Sequence, residues 1–249
     1  MNNYDIEVSD ELRMYFGDPF RVTDKIIIYQ PTIGDIIDFG EEEYYSMVYT
    51  LCAIPSDMKS FLWDCGIDYM EISDFEFFCT SLSRGLTSSD TSLILGDIDL
   101  SQMILCADQE RNLVLSNADG SIIIDENTYF KIVNYIRKIH GIKPKVEEAY
   151  NQYTKKILIE DDRQRKELSK NKKRESGLLG IISTLVNSPG FKYKKNELRE
   201  VGYVEFMDSA QRIPMIEHTK ALLTGQYSGF VDTSKIDKKY FDLMRSIGD

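Results

Sequence analysis

Asp97 and Asp99 are the side chains whose type and spacing come nearest to a metal site. In Leu95-Gly96-Asp97-Ile98-Asp99-Leu100 the two carboxylates share one face of an extended segment, and hard cations such as Mg²⁺ take oxygen ligands of this kind. Acid alternating with Ile98 and Leu100 also describes a half-exposed strand or turn. Such short acidic patterns recur by chance in a chain with 41 Asp and Glu. Asp161-Asp162 is weaker, because adjacent helical residues point in different directions. No metal and no cofactor is therefore expected, and a metal-dependent enzyme built on Asp97 and Asp99 stays a remote alternative.

Imidazole is scarce, with only two histidines in 249 residues. General-base catalysis at neutral pH and most transition-metal sites lean on this group. His140 precedes Gly141 at the expected end of a helix, where a partly protonated ring would interact favourably with the helix dipole. His218 follows Glu217 without a recognisable triad and reads as a surface residue. A phosphate-binding GxxxxGK[ST] loop, GxGxxG, HExxH and GxSxG are all missing. Cys52, Cys65, Cys79 and Cys106 sit at wide, irregular gaps in apolar settings and read as reduced, buried thiols. The chain reads as non-enzymatic.

Charge narrows the partners. Residues 1–145 carry 25 Asp and Glu against 11 Lys and Arg (net −14), while residues 146–249 carry 16 against 19 (net +3). An acidic first half repels phosphates, which makes nucleic acid a poor partner. Seven basic residues lie between Arg163 and Arg174, but acids interrupt or flank them and no aromatics are interleaved for base stacking. They read as a solvated helical face or tether. With no apolar run of eighteen residues and no basic-then-apolar leader at Met1-Asn2-Asn3, neither a membrane nor secretion is expected, and the setting reads as cytoplasmic.

The elements that would carry these residues are mostly helical. The opening stretch through Asp18-Pro19 has little periodicity, and Lys25 to Tyr29 reads as a strand ended by Gln30-Pro31. Thr32 with Asp35 three residues on marks a helix start, and Gly40 before Glu41-Glu42-Glu43 marks another. In that second helix Tyr44, Met47, Val48 and Leu51 form one apolar stripe, while Tyr45, Tyr49 and Cys52 form a second. A surface helix needs only one buried stripe, so the second meets either a partner or another layer of this fold.

Further along, Pro55-Ser56-Asp57 opens a helix through Trp63, and Ser73-Asp74 opens one from Phe75 towards Ser83. Trp63 reads first as a core anchor and second as an interface residue. Gly85 to Ser92 reads as a loop. Leu113-Val114-Leu115 and Ile122-Ile123-Ile124 flank Asp119-Gly120 as a β-hairpin. Asp125 opens a helix with Tyr129, Ile132, Val133 and Ile136 on one face, stopped at Gly141. Leu178 to Val186 is a helix, Ser188-Pro189-Gly190 a turn, and Tyr203 to Leu223 a helix with a kink or break expected near Pro214. Asp237 to Ile247 reads as a last helix with Tyr240, Leu243, Met244 and Ile247 as its stripe.

The expected architecture is α+β and predominantly helical, with few short strands including one β-hairpin and a C-terminal helical bundle. Its expected parts are an acidic α+β domain over 1–145, a basic helical linker over 146–176 and a small helical domain over 177–249.

Three stretches resemble the tail assembly chaperones of long-tailed bacteriophages and prophages of Gram-positive bacteria. These are Gln30-Pro31-Thr32-Ile33-Gly34-Asp35-Ile36 with Phe39-Gly40-Glu41-Glu42, then Pro55-Ser56-Asp57-Met58-Lys59 with Trp63-Asp64 and Gly66-Ile67-Asp68, and Tyr227-Ser228-Gly229-Phe230-Val231-Asp232-Thr233-Ser234-Lys235. The resemblance implies a protein that coats the phage tape measure protein, keeps it soluble and recruits tail tube subunits. A structural virion component of the phage tail or head–tail junction is the alternative it leaves open. Tyr45, Tyr49, Trp63 and Phe241, aromatics off the main stripes, are the candidate partner-binding residues, and self-association is compatible with the same surface.

Overall fold

The computed structural model describes residues 8–170, 175–229 and 232–247. Within them the chain is mostly helical, with two short antiparallel sheets and no barrel. Helix α1 (Val8–Tyr15) lies in the stretch where the sequence shows little periodicity. Strand β1 (Phe20–Arg21) pairs with β2 (Ile27–Ile28), so the expected strand over Lys25 to Tyr29 is cut to two residues. Thr32 opens α2 (Ile33–Phe39) by a reciprocal cap: its hydroxyl accepts from the Asp35 amide, and the Asp35 carboxylate accepts from the Thr32 amide. Helix α3 (Glu41–Cys52) starts at Gly40 as expected, with three acids in its first turn.

A 3₁₀ turn (Pro55–Met58) leads into α4 (Lys59–Asp64). Helix α5 (Asp74–Phe77), capped by Ser73, widens into a π turn (Phe78–Leu82) that keeps Phe77, Phe78 and Cys79 all buried. The region expected as a loop from Gly85 to Ser92 instead holds the start of α6 (Ser88–Leu95). Thr87 and Asp90 make a second reciprocal cap there, a helix-start signal hidden in the Ser/Thr-rich composition.

Strands β3 (Ile104–Ala107), β4 (Leu113–Ser116) and β5 (Ile123–Ile124) form an antiparallel sheet in that order. The hairpin between β4 and β5 turns at Gly120, whose φ of 71° is natural for glycine. Leu115 and Ile124 pair across the sheet and face the core, against α7 (Glu126–His140). Asp125 caps α7 and a left-handed Gly141 ends it.

The buried stripes of α3 and α7 meet at the centre of the molecule. Tyr44, Met47, Val48 and Leu51 lie in one apolar cluster with Tyr129, Ile132, Val133 and Ile136. Phe75 and Phe78 pack on the Tyr129 ring, with centroids 5.5 and 4.9 Å away. The cluster extends from Met14 to Phe206.

Helix α8 (Gln152–Lys170) packs on α4. Ile159 is its apolar anchor, Lys155 pairs with Asp68, and Arg163 pairs with Asp64 at 2.6 Å. Asp162 accepts from the amide and hydroxyl of Ser60 at 3.0 and 2.6 Å, so a carboxylate on α8 caps the first turn of α4. Burial alone would raise the Asp162 pKa, but Lys166 and Ser60 hold it below the usual carboxylate range. Lys172, Lys173 and Arg174 of the basic cluster lie outside the described residues.

The extended segment before α8 is anchored by a buried ion pair. Lys59 Nζ donates to Glu147 at 2.8 Å and to the Ser56 carbonyl, while the Glu147 amide donates to Ser56 Oγ at 3.1 Å. Lys59, and then Lys145, pulls the Glu147 pKa down. Replacing Glu147 with alanine strands the Lys59 ammonium in the core. An expected loss of about 2 kcal/mol by urea denaturation follows, the partial exposure of Glu147 moderating the cost of a fully buried pair.

Helix α9 (Gly177–Asn187) begins at Ser176, and the Glu41 carboxylate of α3 accepts from the Leu178 amide at 3.0 Å. Helix α10 (Tyr203–Tyr227) runs through Pro214 without a break. Two backbone bonds seat its start on the loop before α2: Ile33 donates to Val201, and Tyr203 donates to Pro31, both at 3.0 Å. A Cβ at position 34 would come within 2.7 Å of the Arg199 carbonyl oxygen, so only glycine allows this approach. The last helix expected over Asp237 to Ile247 is absent. A single 3₁₀ turn (Lys238–Phe241) stands there, held on α10 by Thr219, whose hydroxyl donates to the Tyr240 carbonyl. Met244 and Leu243, expected on a buried stripe, are exposed.

Candidate partner-binding groove

The second stripe of α3 is graded: Tyr49 is exposed, Tyr45 half-buried and Cys52 buried. Tyr45 and Tyr49 line a groove of about 1000 Å³ together with Glu42, Ser46 and Thr50 of the same helix. Met58 and Leu82 also line it, and the extended segment Ile142-Lys143-Pro144-Lys145 follows Gly141 along it. Glu41, Glu175 and Ser176 contribute where α3 meets the start of α9. Helix α7 stops at Gly141, and the chain leaves as the extended segment that forms the rim opposite α3.

Its aromatic residues are supported from below. Tyr45 is half-buried, and its hydroxyl donates to Tyr203 Oη at 3.4 Å. Burial raises the Tyr45 pKa, so the phenol stays neutral. Tyr49, four residues on, is 61% exposed. Beneath them His140 sits among Tyr44 and Tyr203. Tyr44 Oη donates to His140 Nε2 at 2.8 Å, and Nδ1 lies 2.8 Å from the Ile136 carbonyl, the geometry of a neutral ring donating from Nδ1. Burial pulls the His140 pKa down to about 4, against the opposing effect of the Ile136 carbonyl. The partly protonated imidazole expected at this helix end is thus corrected to a neutral one, because burial outweighs the helix dipole.

One thiol borders the groove. Cys52 reaches its lining, but burial pushes the thiol up to about 12, far from the thiolate that nucleophilic chemistry needs. Arg137, itself buried, donates to the Cys52 carbonyl at 2.8 Å.

Of the candidate partner-binding residues, Tyr45 and Tyr49 come together here. Trp63 on α4 and Phe241 in the C-terminal 3₁₀ turn do not line the groove. Trp63 is 41% exposed, which corrects its reading as a core anchor; Leu62 beside it takes that place. Cys65 and Cys106 are exposed rather than buried, while Cys52 and Cys79 are core thiols, and all four are free. Asp99 caps a 3₁₀ turn (Leu100–Gln102) by accepting from the Ser101 and Gln102 amides and the Ser101 hydroxyl. Among the described residues, no group of three or more metal-ligating side chains converges, and no helix is long and apolar enough to cross a membrane.

Sequence reasoning reached the α3 rim of the groove through its surplus stripe but missed the opposite rim. Ile142 and Pro144 carry a signal only in their alternation with Lys143 and Lys145 after a helix stop. No protein-family model, curated protein or solved structure matches the chain.

Proposed function

We propose that the chain is a non-enzymatic assembly chaperone that holds a segment of a client polypeptide in the α3 groove. The client is the phage tape measure protein, and the complex recruits tail tube subunits until polymerisation of the tube displaces the chaperone. The observation that carries this reading is the groove itself, with Tyr49 standing out of a helix whose other stripe is fully buried. Tyrosine in such a place supplies large, stiff contact area at little entropic cost. The three stretches that resemble tail assembly chaperones name the client class. A net charge of −11 keeps an assembly of such complexes dispersed.

Co-expression with a tape measure protein tests the reading. The wild-type chain should keep the client in the supernatant and co-purify with it. Tyr49→Glu places a charge at the aromatic rim and should lower the recovered client tenfold or more, the scale of losing an interface anchor. A client that stays insoluble beside the wild-type chain, or that co-purifies equally with the variant, refutes it.

A further inference from the structure

We infer that the outer edge of β3 pairs with the same edge of a second copy of this chain, joining the two sheets antiparallel about a twofold axis at Cys106. The register of the sheet shows which backbone groups point outward. The Asp108 amide donates to the Asn112 carbonyl at 2.9 Å, one step beyond the pairing of Ala107 with Leu113. Antiparallel pairs alternate, so Asp108, Cys106 and Ile104 turn their backbone groups to β4, while Leu105 and Ala107 turn theirs away. The other side of β4 agrees. Asn117 donates to the Ile122 carbonyl at 3.1 Å, which points the groups of Leu115 to Ile124 and away from Leu105. Among the described residues no strand pairs with the outer side of β3.

Two outward-facing residues, two apart, are what a short strand needs to pair with itself. Leu105 of each copy exchanges both backbone bonds with Ala107 of the other, and Cys106 stands opposite Cys106 at the axis. Neighbouring registers are worse. A slip towards the N-terminus asks for the Met103 amide, which already donates to the Leu100 carbonyl at 3.2 Å. A slip the other way runs into the turn that Arg111 closes by donating to the Asp108 carbonyl. A slip of one residue sets outward groups against inward ones.

Side chains and charge fit a copy of the same chain. The exposed Ala107 comes beside the half-buried Leu105 of the other copy, small against large. On the outer face Ile104 and Ile123 are 55% and 52% exposed, in one row through Ser116. Residues 1–145 carry a net charge of −14, which repels a second copy over most of this half. Strands β3, β4 and β5 hold no charged side chain, so here two copies meet without opposing carboxylates. The lysine, proline or bulge that commonly guards a sheet edge is missing from β3. The contact is small, well below the roughly 800 Å² per partner of a standard stable interface, so the pair forms weakly and exchanges.

The test is sedimentation of the full-length chain over a range of concentrations, with diamide trapping at each. Diamide takes two electrons and two protons from a pair of thiols, and Cα atoms about 4.5 Å apart in a non-hydrogen-bonded pair lie within disulfide reach. The average mass should rise towards the dimer with concentration. Trapping should run through Cys106 and not the other exposed thiol: Cys65→Ser keeps the covalent dimer, while Cys106→Ser lowers it tenfold or more. Ala107→Pro removes an outward amide and leaves the β4 ladder whole, and Ile104→Lys sets a charge beside the axis. Each should lower trapping tenfold or more, and Tyr49→Glu should not change it. Circular dichroism checks that the variants fold; if Ala107→Pro does not, Ile104→Lys at its exposed position decides. A mass that stays monomeric up to about 1 mM overturns the inference. Equal trapping through Cys65, or trapping that survives Ile104→Lys, does the same. If the chain is monomeric while Ala107→Pro releases a co-expressed client, the edge takes a client strand and self-pairing falls. If Tyr49→Glu abolishes the dimer, the copies meet at the groove and the β3 edge falls.

Discussion

Replacing Phe206 with alanine is expected to destabilise the whole protein by about 3–5 kcal/mol, the cost of deleting a fully buried aromatic side chain and leaving its cavity. Phe206 has no exposed surface and lies in the first turns of α10, in the same apolar cluster as Ile33, Tyr44 and Tyr203. Its neighbourhood joins residues on either side of the boundary region over 146–176. The measurement is urea denaturation followed by both far-ultraviolet circular dichroism and Trp63 fluorescence. If residues 177–249 fold with the rest, both probes should show one transition that shifts together in the variant. A Trp63 transition left in place while part of the helical signal melts early would instead show a separately folding C-terminal domain.

Acidification should weaken the fold through His140. Its folded pKa of about 4 lies below the value near 6.5 of an unfolded chain. The unfolded state therefore binds more protons between those values, and stability falls as pH drops from about 6.5 towards 4. The shift corresponds to about 3 kcal/mol. Protonation would also turn Nε2 from an acceptor into a donor facing the Tyr44 hydroxyl. Asp68, Glu147 and Asp162, whose pKa values are lowered, lose stability in the same direction at lower pH, so the wild-type curve alone is ambiguous. His140→Gln can still accept from Tyr44 but cannot titrate. Its unfolding free energy should fall less between pH 7 and pH 4, by about the same 3 kcal/mol. Parallel curves for the two proteins would exclude His140 as the cause.

Five helix boundaries are legible from the residues that make them. Thr32 with Asp35, Gly40, Ser73, Asp125 and Gly141 all stand where their chemistry predicts. The buried stripes of α3 and α7 follow from spacing alone, since both helices meet a single core on one side. Elsewhere composition misled. Thr87-Ser88-Ser89-Asp90 looks like a loop by content but is a helix start by position. The apolar stripe from Tyr240 to Ile247 looked helical, yet Arg245 folds back to donate to Thr219 and to the carbonyls of Tyr240 and Asp242, which fixes a compact turn instead. Strand β3 was hidden because a four-residue strand shows no period until its partner is known.

The stretches that resemble tail chaperones have a structural reading of their own. Gln30 to Asp35 is the seam where α2 receives residues 199–203, through Pro31, Ile33 and the closely approached Gly34. Pro55 to Lys59 anchors the segment before α8 through Ser56 and Lys59. Their residues place the groove more than they line it, although Glu41, Glu42, Asp57 and Met58 do both. Phe230 and Val231 of the third stretch lie outside the described residues.

Asp162 completes α4 from a hundred residues downstream, and Glu41 completes α9 from far upstream. During synthesis, α4 leaves the ribosome with a bare amide at its head and keeps it until residue 162 has emerged. Helix α9, by contrast, is born to a waiting carboxylate. The nascent chain thus has one early edge that stays unfinished and one late edge that closes at once, and an obstacle between residues 64 and 162 would hold the first edge open.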